Sequence, residues 1–163
     1  MLDIKVTENY GGIEVKGDYA DFEQLYDSIF EIIGDGEDYP TLEKLRIQIL
    51  AFCYDLRHAK QGSREIELVE NNMNDEIMKW HSIITPINNV YYKFKYILTQ
   101  AIFVVYALNI FIDNYKYKKY KSSYYTKVVY DEAVNIVQEF QSKVIKAIVQ
   151  ILSEKNKKIF LKL

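Results

Sequence analysis

The chain has 163 residues, 49% of them hydrophobic and 27% charged, with a formal net charge of −2 and only 2 Pro and 6 Gly. That composition describes one soluble globular domain with enough Leu, Ile, Val, Phe and Tyr for a core, and it excludes long structureless or collagen-like segments. A single cysteine, Cys53, excludes an internal disulfide framework and offers no basis for a thiolate metal site, so a reducing, cytoplasmic setting without a metal or other cofactor is expected.

The opening residues, Met1 to Lys5, lack the charged-then-apolar pattern of a secretory signal. The most apolar run, Ala101 to Ile112, is far shorter than the roughly 20 residues that a bilayer core requires, so no membrane association is expected. Charge is distributed unevenly. Residues 1–76 hold 18 acids and 7 bases (−11), and residues 77–163 hold 5 acids and 14 bases (+9). Either the two parts fold against each other and their fields cancel, or the basic part faces an anionic partner.

In chain order, Leu2, Ile4 and Val6 alternate with polar residues, as do Ile13 and Val15, with Asn9-Tyr10-Gly11-Gly12 between them. This predicts a β-hairpin with one buried face. Asp18 or Asp21 caps a helix to about Ile33, carried by Phe22, Leu25, Tyr26, Ile29 and Ile33 and ended by Gly34. After an acidic turn, Thr41 is the expected N-cap of a second helix striped by Leu42, Leu45, Ile49, Phe52 and Leu56, ending near His58 to Ala59. Glu65–Val69 and Trp80–Thr85 read as short strands, Asn88-Asn89 as a turn and Val90–Phe94 as the return strand. From Leu98 to about Tyr115 the chain reads as a central helix packed on every side, with an interruption expected within 113–123. Residues 124–155 form a long C-terminal amphipathic helix, running from Thr126 to about Glu154 with Val129, Ala133, Ile136, Phe140, Val144, Ala147 and Ile151 on its apolar side, and 156–163 a short lysine-rich tail. The sum is a single α+β domain over 1–163, with about four main helices and about five short antiparallel strands. A final helix of this length spans about 42 Å, more than a small domain needs. Part of its stripe is therefore free to meet a second copy, so a homodimer is expected, alongside packing on helix 98–115.

The most informative local feature is a gathering of residue types. All three arginines, both histidines, the only cysteine and the only tryptophan lie between Arg46 and His81. On a helix, Tyr54 and His58 are neighbours at i,i+4 and Asp55 and His58 at i,i+3, so Asp55 is placed to orient the imidazole. Arg57 and Arg64 supply planar forks for phosphate or carboxylate. His81, on a strand, would be a second proton-transfer group. These residues, Tyr54, Arg57, His58, Arg64 and His81, form the expected ligand-binding set. If the protein is an enzyme, His58, His81 and Asp55 are the catalytic ones, in a metal-independent hydrolase or nuclease. Two histidines without further cysteines do not make a zinc site. The same residues also have a purely structural reading, with His58 against the helix dipole and Arg57 and Arg64 in salt bridges.

The runs Asp18-Tyr19 through Asp27, Phe52-Cys53-Tyr54-Asp55-Leu56-Arg57-His58-Ala59, Gln61-Gly62, Arg64-Glu65-Ile66-Glu67, His81-Ser82-Ile83-Ile84-Thr85-Pro86 and Val90-Tyr91-Tyr92 resemble a family of uncharacterised bacterial proteins, a domain of unknown function. The resemblance covers roughly residues 1–115 and is densest at Tyr54–Glu67 and His81–Tyr92. It implies an intact bacterial cytoplasmic domain and no particular activity.

Residues 115–127 interleave five lysines with five tyrosines. Aromatic rings stack on bases and ammonium groups meet phosphates, so Lys116, Lys118, Lys119, Lys121, Tyr117 and Tyr120 are candidates for single-stranded nucleic acid. Equally, Tyr117, Tyr120 and Tyr124 on one helical face would simply cover core. The leading expectation is a small cytoplasmic bacterial binding or interaction protein, homodimeric, with a protein partner or ligand at the polar cluster. The hydrolase and the nucleic-acid binder are the alternatives.

Overall fold

A computed structural model describes residues 2–121, 130–152 and 156. Strands β1 (Asp3–Val6) and β2 (Gly12–Gly17) form the expected hairpin, with Ile4 opposite Val15 and Val6 opposite Ile13. The turn is held by Thr7, whose Oγ1 accepts from the Gly12 amide, and by Asn9, whose side-chain oxygen accepts from the Gly11 amide. Gly12 is obligatory for a different reason. A Cβ there would lie 2.6 Å from the Tyr96 carbonyl oxygen, where β2 runs against the last strand.

Helix α1 (Tyr19–Ile33) starts at a reciprocal cap, in which the Asp21 amide donates to the Asp18 carboxylate and the Asp18 amide to that of Asp21. It ends at Gly34, whose φ of +60° and tight contact with Asp38 exclude a side chain. Thr41 is not a cap. Pro40–Leu42 form a 3-10 turn, and α2 (Glu43–Lys60) follows with Leu42 at its N-cap position and no side-chain cap bond. The fixed φ of Pro40 starts the winding at Pro40 itself, so Thr41 already lies inside the 3-10 turn and cannot cap.

Strands β3 (Glu65–Glu70) and β4 (Asn88–Ile97) complete one antiparallel sheet of order β1-β2-β4-β3. Between them lies the clearest departure from the sequence reading. Trp80–Thr85 is not a strand. Asp75–His81 form a short helix, α3, capped by Asn74, whose side-chain oxygen accepts from the Ile77 amide at 3.0 Å. Asp75 and Glu76 in its first turn and Lys79 and His81 in its last suit the helix dipole, and this outweighs the apolar run Ile83-Ile84. With that strand gone, the sheet has four strands among the described residues, and Asn88-Asn89 belong to β4 instead of forming a turn.

Helix α4 (Leu98–Tyr120) continues beyond Tyr115 and ends at Tyr120, where Lys121 at φ +47° breaks it inside the 113–123 window in which an interruption is expected. It is not packed on every side, because Thr99, Gln100, Phe103 and Ile110 face outward. Helix α5 (Glu132–Ile151) is the long amphipathic helix, with Asp131 as N-cap. It starts at Glu132 and not at Thr126, because the Asp131 side chain caps it there by accepting from the Val134 amide; the expected residues 124–129 and 153–155, and the tail from 157, lie outside the described residues. Its stripe of Ala133, Val137, Phe140, Val144, Ala147 and Ile148 is buried within the chain, against α1, β1 and α4, so the described part of this helix offers no free apolar stripe to a second copy. None of the helices is long and apolar enough to cross a membrane, among the described residues.

All helices that contribute to the core pack on one face of the sheet. Ile4, Ile13, Val15, Phe94 and Tyr96 point into that face, and Lys5, Glu14, Lys16, Lys93 and Lys95 line the other. Phe52 of α2 is the joint. Fully buried, its ring lies 5.6 Å from Phe94, 5.2 Å from Tyr96 and 5.1 Å from Phe140, touching sheet and α5 at once. Phe52→Ala should therefore lower stability by about 3–5 kcal/mol, the cost of a buried aromatic cavity, measurable by urea unfolding. Next to it Cys53 is buried in apolar surroundings, which pushes its thiol up to about 12. At pH 8 the native protein should resist a thiol reagent that modifies the urea-unfolded chain within minutes.

Candidate functional site

The last turns of α2 present the expected polar group. Tyr54 and His58 stack with ring centroids 4.0 Å apart, and the Arg57 guanidinium lies 5.8 Å from the centre of the Tyr54 ring. His58 Nδ1 is 2.8 Å from the Tyr54 carbonyl oxygen. A carbonyl only accepts, so Nδ1 carries the hydrogen and Nε2 is the ring's open position. Asp55 does not orient His58. It accepts from Arg64 at 2.7 Å, a salt bridge that ties the end of α2 to the start of β3. His81 closes α3, exposed, and no hydrogen bond or ring contact links it to His58 among the described residues. The structure thus brings Tyr54, Arg57 and His58 together, pairs Arg64 with Asp55, and leaves His81 on a separate element.

Lys60, one position beyond this group, is tied inward. It donates to Glu23 at 2.5 Å and lies 4.6 Å from the Tyr26 ring centre. That contact and the Tyr19 hydroxyl hold Glu23 below the usual carboxylate range.

The tyrosine-lysine stretch is largely spoken for within the fold. Lys118 pairs with Asp38, Lys119 with Glu31 and Asp131, each at 3.0 Å, and the Tyr120 hydroxyl donates to Asp131. Lys116 is buried, whereas Tyr117 and Lys121 are exposed. These side chains do not form one open cationic face.

They build instead a polar knot that the sequence reading missed. Tyr115, 6% exposed, donates to Glu31 at the end of α1, and its hydroxyl is 3.3 Å from Asp131, the N-cap of α5. The Asp131 side chain is 1% exposed and also accepts from the Val134 amide at 3.0 Å. Burial alone would raise its pKa, but the bonds from Tyr120, Val134 and Lys119 outweigh burial and hold it low. Glu31 is held low first by Tyr115 and then by Lys119. Burial and the bond to Glu31 push the Tyr115 hydroxyl up. The available signal was the i,i+4 pair Tyr115 and Lys119 together with an Asp directly before an amphipathic helix.

Elsewhere, a shallow depression opens at the far end of β4, lined by Thr7, Asn9, Lys95 and Ile97 among others. Among the described residues no group of three or more His, Cys, Asp or Glu is placed to hold a metal ion.

The fold and this surface define a single-sheet α+β domain with an exposed aromatic-guanidinium-imidazole cluster. The chain belongs to the family described as a domain of unknown function, DUF6904, whose model matches residues 2–163 and so includes the final helix, beyond the 1–115 over which the resemblance was read. No curated protein and no solved structure matches it.

Glu31 and Asp131 are lowered in the folded state. Their contribution is complete above their unfolded values, about 4.3 and 3.9, and is lost as pH falls through the depressed folded ones. Glu31→Gln with Asp131→Asn should therefore flatten the decline of melting temperature below about pH 5 while lowering stability at pH 7, as read by calorimetry across pH.

Proposed function

We propose that this chain is a bacterial cytoplasmic binding protein that works as a homodimer without a cofactor, recognising a ligand or protein partner through the surface formed by Tyr54, Arg57 and His58, with Arg64 beside it. The observation that carries this reading is the surface cluster at the end of α2, whose side chains stack on one another. A tyrosine about half exposed, stacked on an imidazole and flanked by a guanidinium, adds nothing to the core, yet offers an aromatic face, a planar donor fork and an open ring nitrogen. Tyrosine and arginine side chains of this kind carry most of the energy at recognition surfaces.

Recognition is favoured over turnover because the elements of acid-base chemistry are engaged elsewhere. Asp55 is held by Arg64, and His58 is oriented by a backbone carbonyl instead of a carboxylate. The bacterial cytoplasmic setting rests on the sequence resemblance and on the buried, unpaired Cys53.

Native mass spectrometry of protein purified at moderate salt is the test, with Arg57→Ala and His58→Ala variants beside the wild type. The expected species is a dimer free of nucleic acid and metal. Each variant should keep its stability within about 0.5 kcal/mol, as surface substitutions do, and should lose any bound protein or small molecule that the wild type carries. Co-purifying nucleic acid, or a monomer at every concentration, would overturn the reading.

A further inference from the structure

Among the described residues no helix covers the segment from β3 to the start of β4. Leu68, Ile66 and Val90 are 62%, 51% and 41% exposed, Trp80 is 83% exposed and Ile84 completely so. Neither β3 nor α3 has a single buried residue. β3 is also the outer strand of the sheet, so one row of its backbone groups is unpaired.

Register decides what can pair there. The Asn71 amide donates to the Ile87 carbonyl at 3.1 Å, continuing the β3–β4 ladder in which Glu70 faces Asn88. Bonding direction alternates along an antiparallel strand, so Glu65, Glu67 and Val69 address β4, while Ile66, Leu68 and Glu70 address the open edge. Ile66 and Leu68 face Tyr92 and Val90, in step with the buried Phe94 and Tyr96, so their side chains lie on the helix-bearing face of the sheet. Arg64 and Glu70 share that parity.

We propose that the occupant of this edge is the β3 strand of a second copy of the chain, antiparallel and centred on Glu67. A dyad there sets Ile66 against Leu68 twice and Arg64 against Glu70 twice, an apolar centre flanked by opposite charges. Opposed pairs of these kinds stabilise neighbouring antiparallel strands. The two Glu67 carboxylates meet on the other face, where Lys93 and Lys16 of their own chain already neutralise each of them, Lys16 at 3.0 Å. Centring on Leu68 instead would set Ile66 against Glu70 and lose both matches. The Glu67 dyad carries the chain beyond Glu70 of one copy toward the end of α2 of the other. Trp80 and His81 thereby approach Tyr54, Arg57 and His58 of the second copy, and the residues that one chain holds apart form a single surface between two. This rests on the homodimer proposed above and names its interface.

The full-length chain tests this in three readouts. Glu67→Cys should give a covalent dimer on mild oxidation, whereas Val69→Cys, offset from the dyad, should not; the buried Cys53 stays silent in both. Ile66→Lys with Leu68→Lys should weaken dimerisation at least about a hundredfold by sedimentation, with wild-type helicity by circular dichroism. Emission of the single tryptophan should shift to the blue as wild-type concentration rises, and should stay at the exposed position in the double-lysine variant. A wild-type dimer that neither cross-links through position 67 nor responds to the lysines would overturn this interface and leave the homodimer standing. A dimer in which Trp80 emission does not shift would overturn the approach of α3 to the second copy. A monomer at all concentrations up to roughly 0.1 mM would overturn interface and homodimer together.

Discussion

Everything in this fold is hung on the ring of Phe52. The sheet has one face toward the helices, and that face is convertible into a core only if something fills the space between Phe94, Tyr96 and the helices beyond. Phe52 reaches both aromatic rings of β4 and Phe140 of α5 from a single position on α2. Because α2 is fixed by that ring, its last two turns are fixed as well, and the Tyr54–His58 stack projects from a rigid base. Core and exposed aromatic cluster are thus opposite sides of one helix: Phe52, Cys53 and Leu56 point in, and Tyr54 and Arg57 point out.

A second constraint holds the other end of the molecule. The ends of α1 and α4 and the start of α5 converge on Glu31, Tyr115, Lys119 and Asp131, where one ammonium group meets two carboxylates. Buried charge of this kind costs desolvation and is tolerable only when each oxygen is satisfied. Here a backbone amide, two phenols and a lysine share that role. The lysines that looked most suited to phosphate are partly consumed in this way, which is why a stretch rich in Tyr and Lys behaves in the fold as an internal strut.

Much of the architecture was legible because it rests on local periodicity. Alternation at Leu2–Val6 and Ile13–Val15 gave the hairpin, Asp18 and Gly34 bracketed α1, and the stripe through Phe52 gave α2. The failure at Trp80–Thr85 is instructive. A short apolar run is ambiguous between strand and helix, and the decisive signal was upstream, in Asn74-Asp75-Glu76, a cap followed by acids. Within the candidate site, Tyr54 and His58 were legible because i,i+4 neighbours on a helix must meet. The place of His81 was not, since it depends on which element carries it. Nor was the bond between Tyr115 and Glu31, whose partners are 84 residues apart and meet only through tertiary packing.

The two edges of the sheet are unequal, and the inequality bears on how far association can go. β1 is only four residues long, carries Asp3 and Lys5, lies against α5, and has its approach closed by Lys143, which donates to the Leu2 carbonyl at 2.8 Å. β3 is longer, and nothing among the described residues covers it. A sheet with two open edges can add subunits without limit and grow into a filament, whereas a sheet with one open edge is used up by a single symmetric pairing. By guarding β1, the fold makes any pairing through β3 self-terminating at two chains, so an apolar strand can stay at the surface without seeding a fibre.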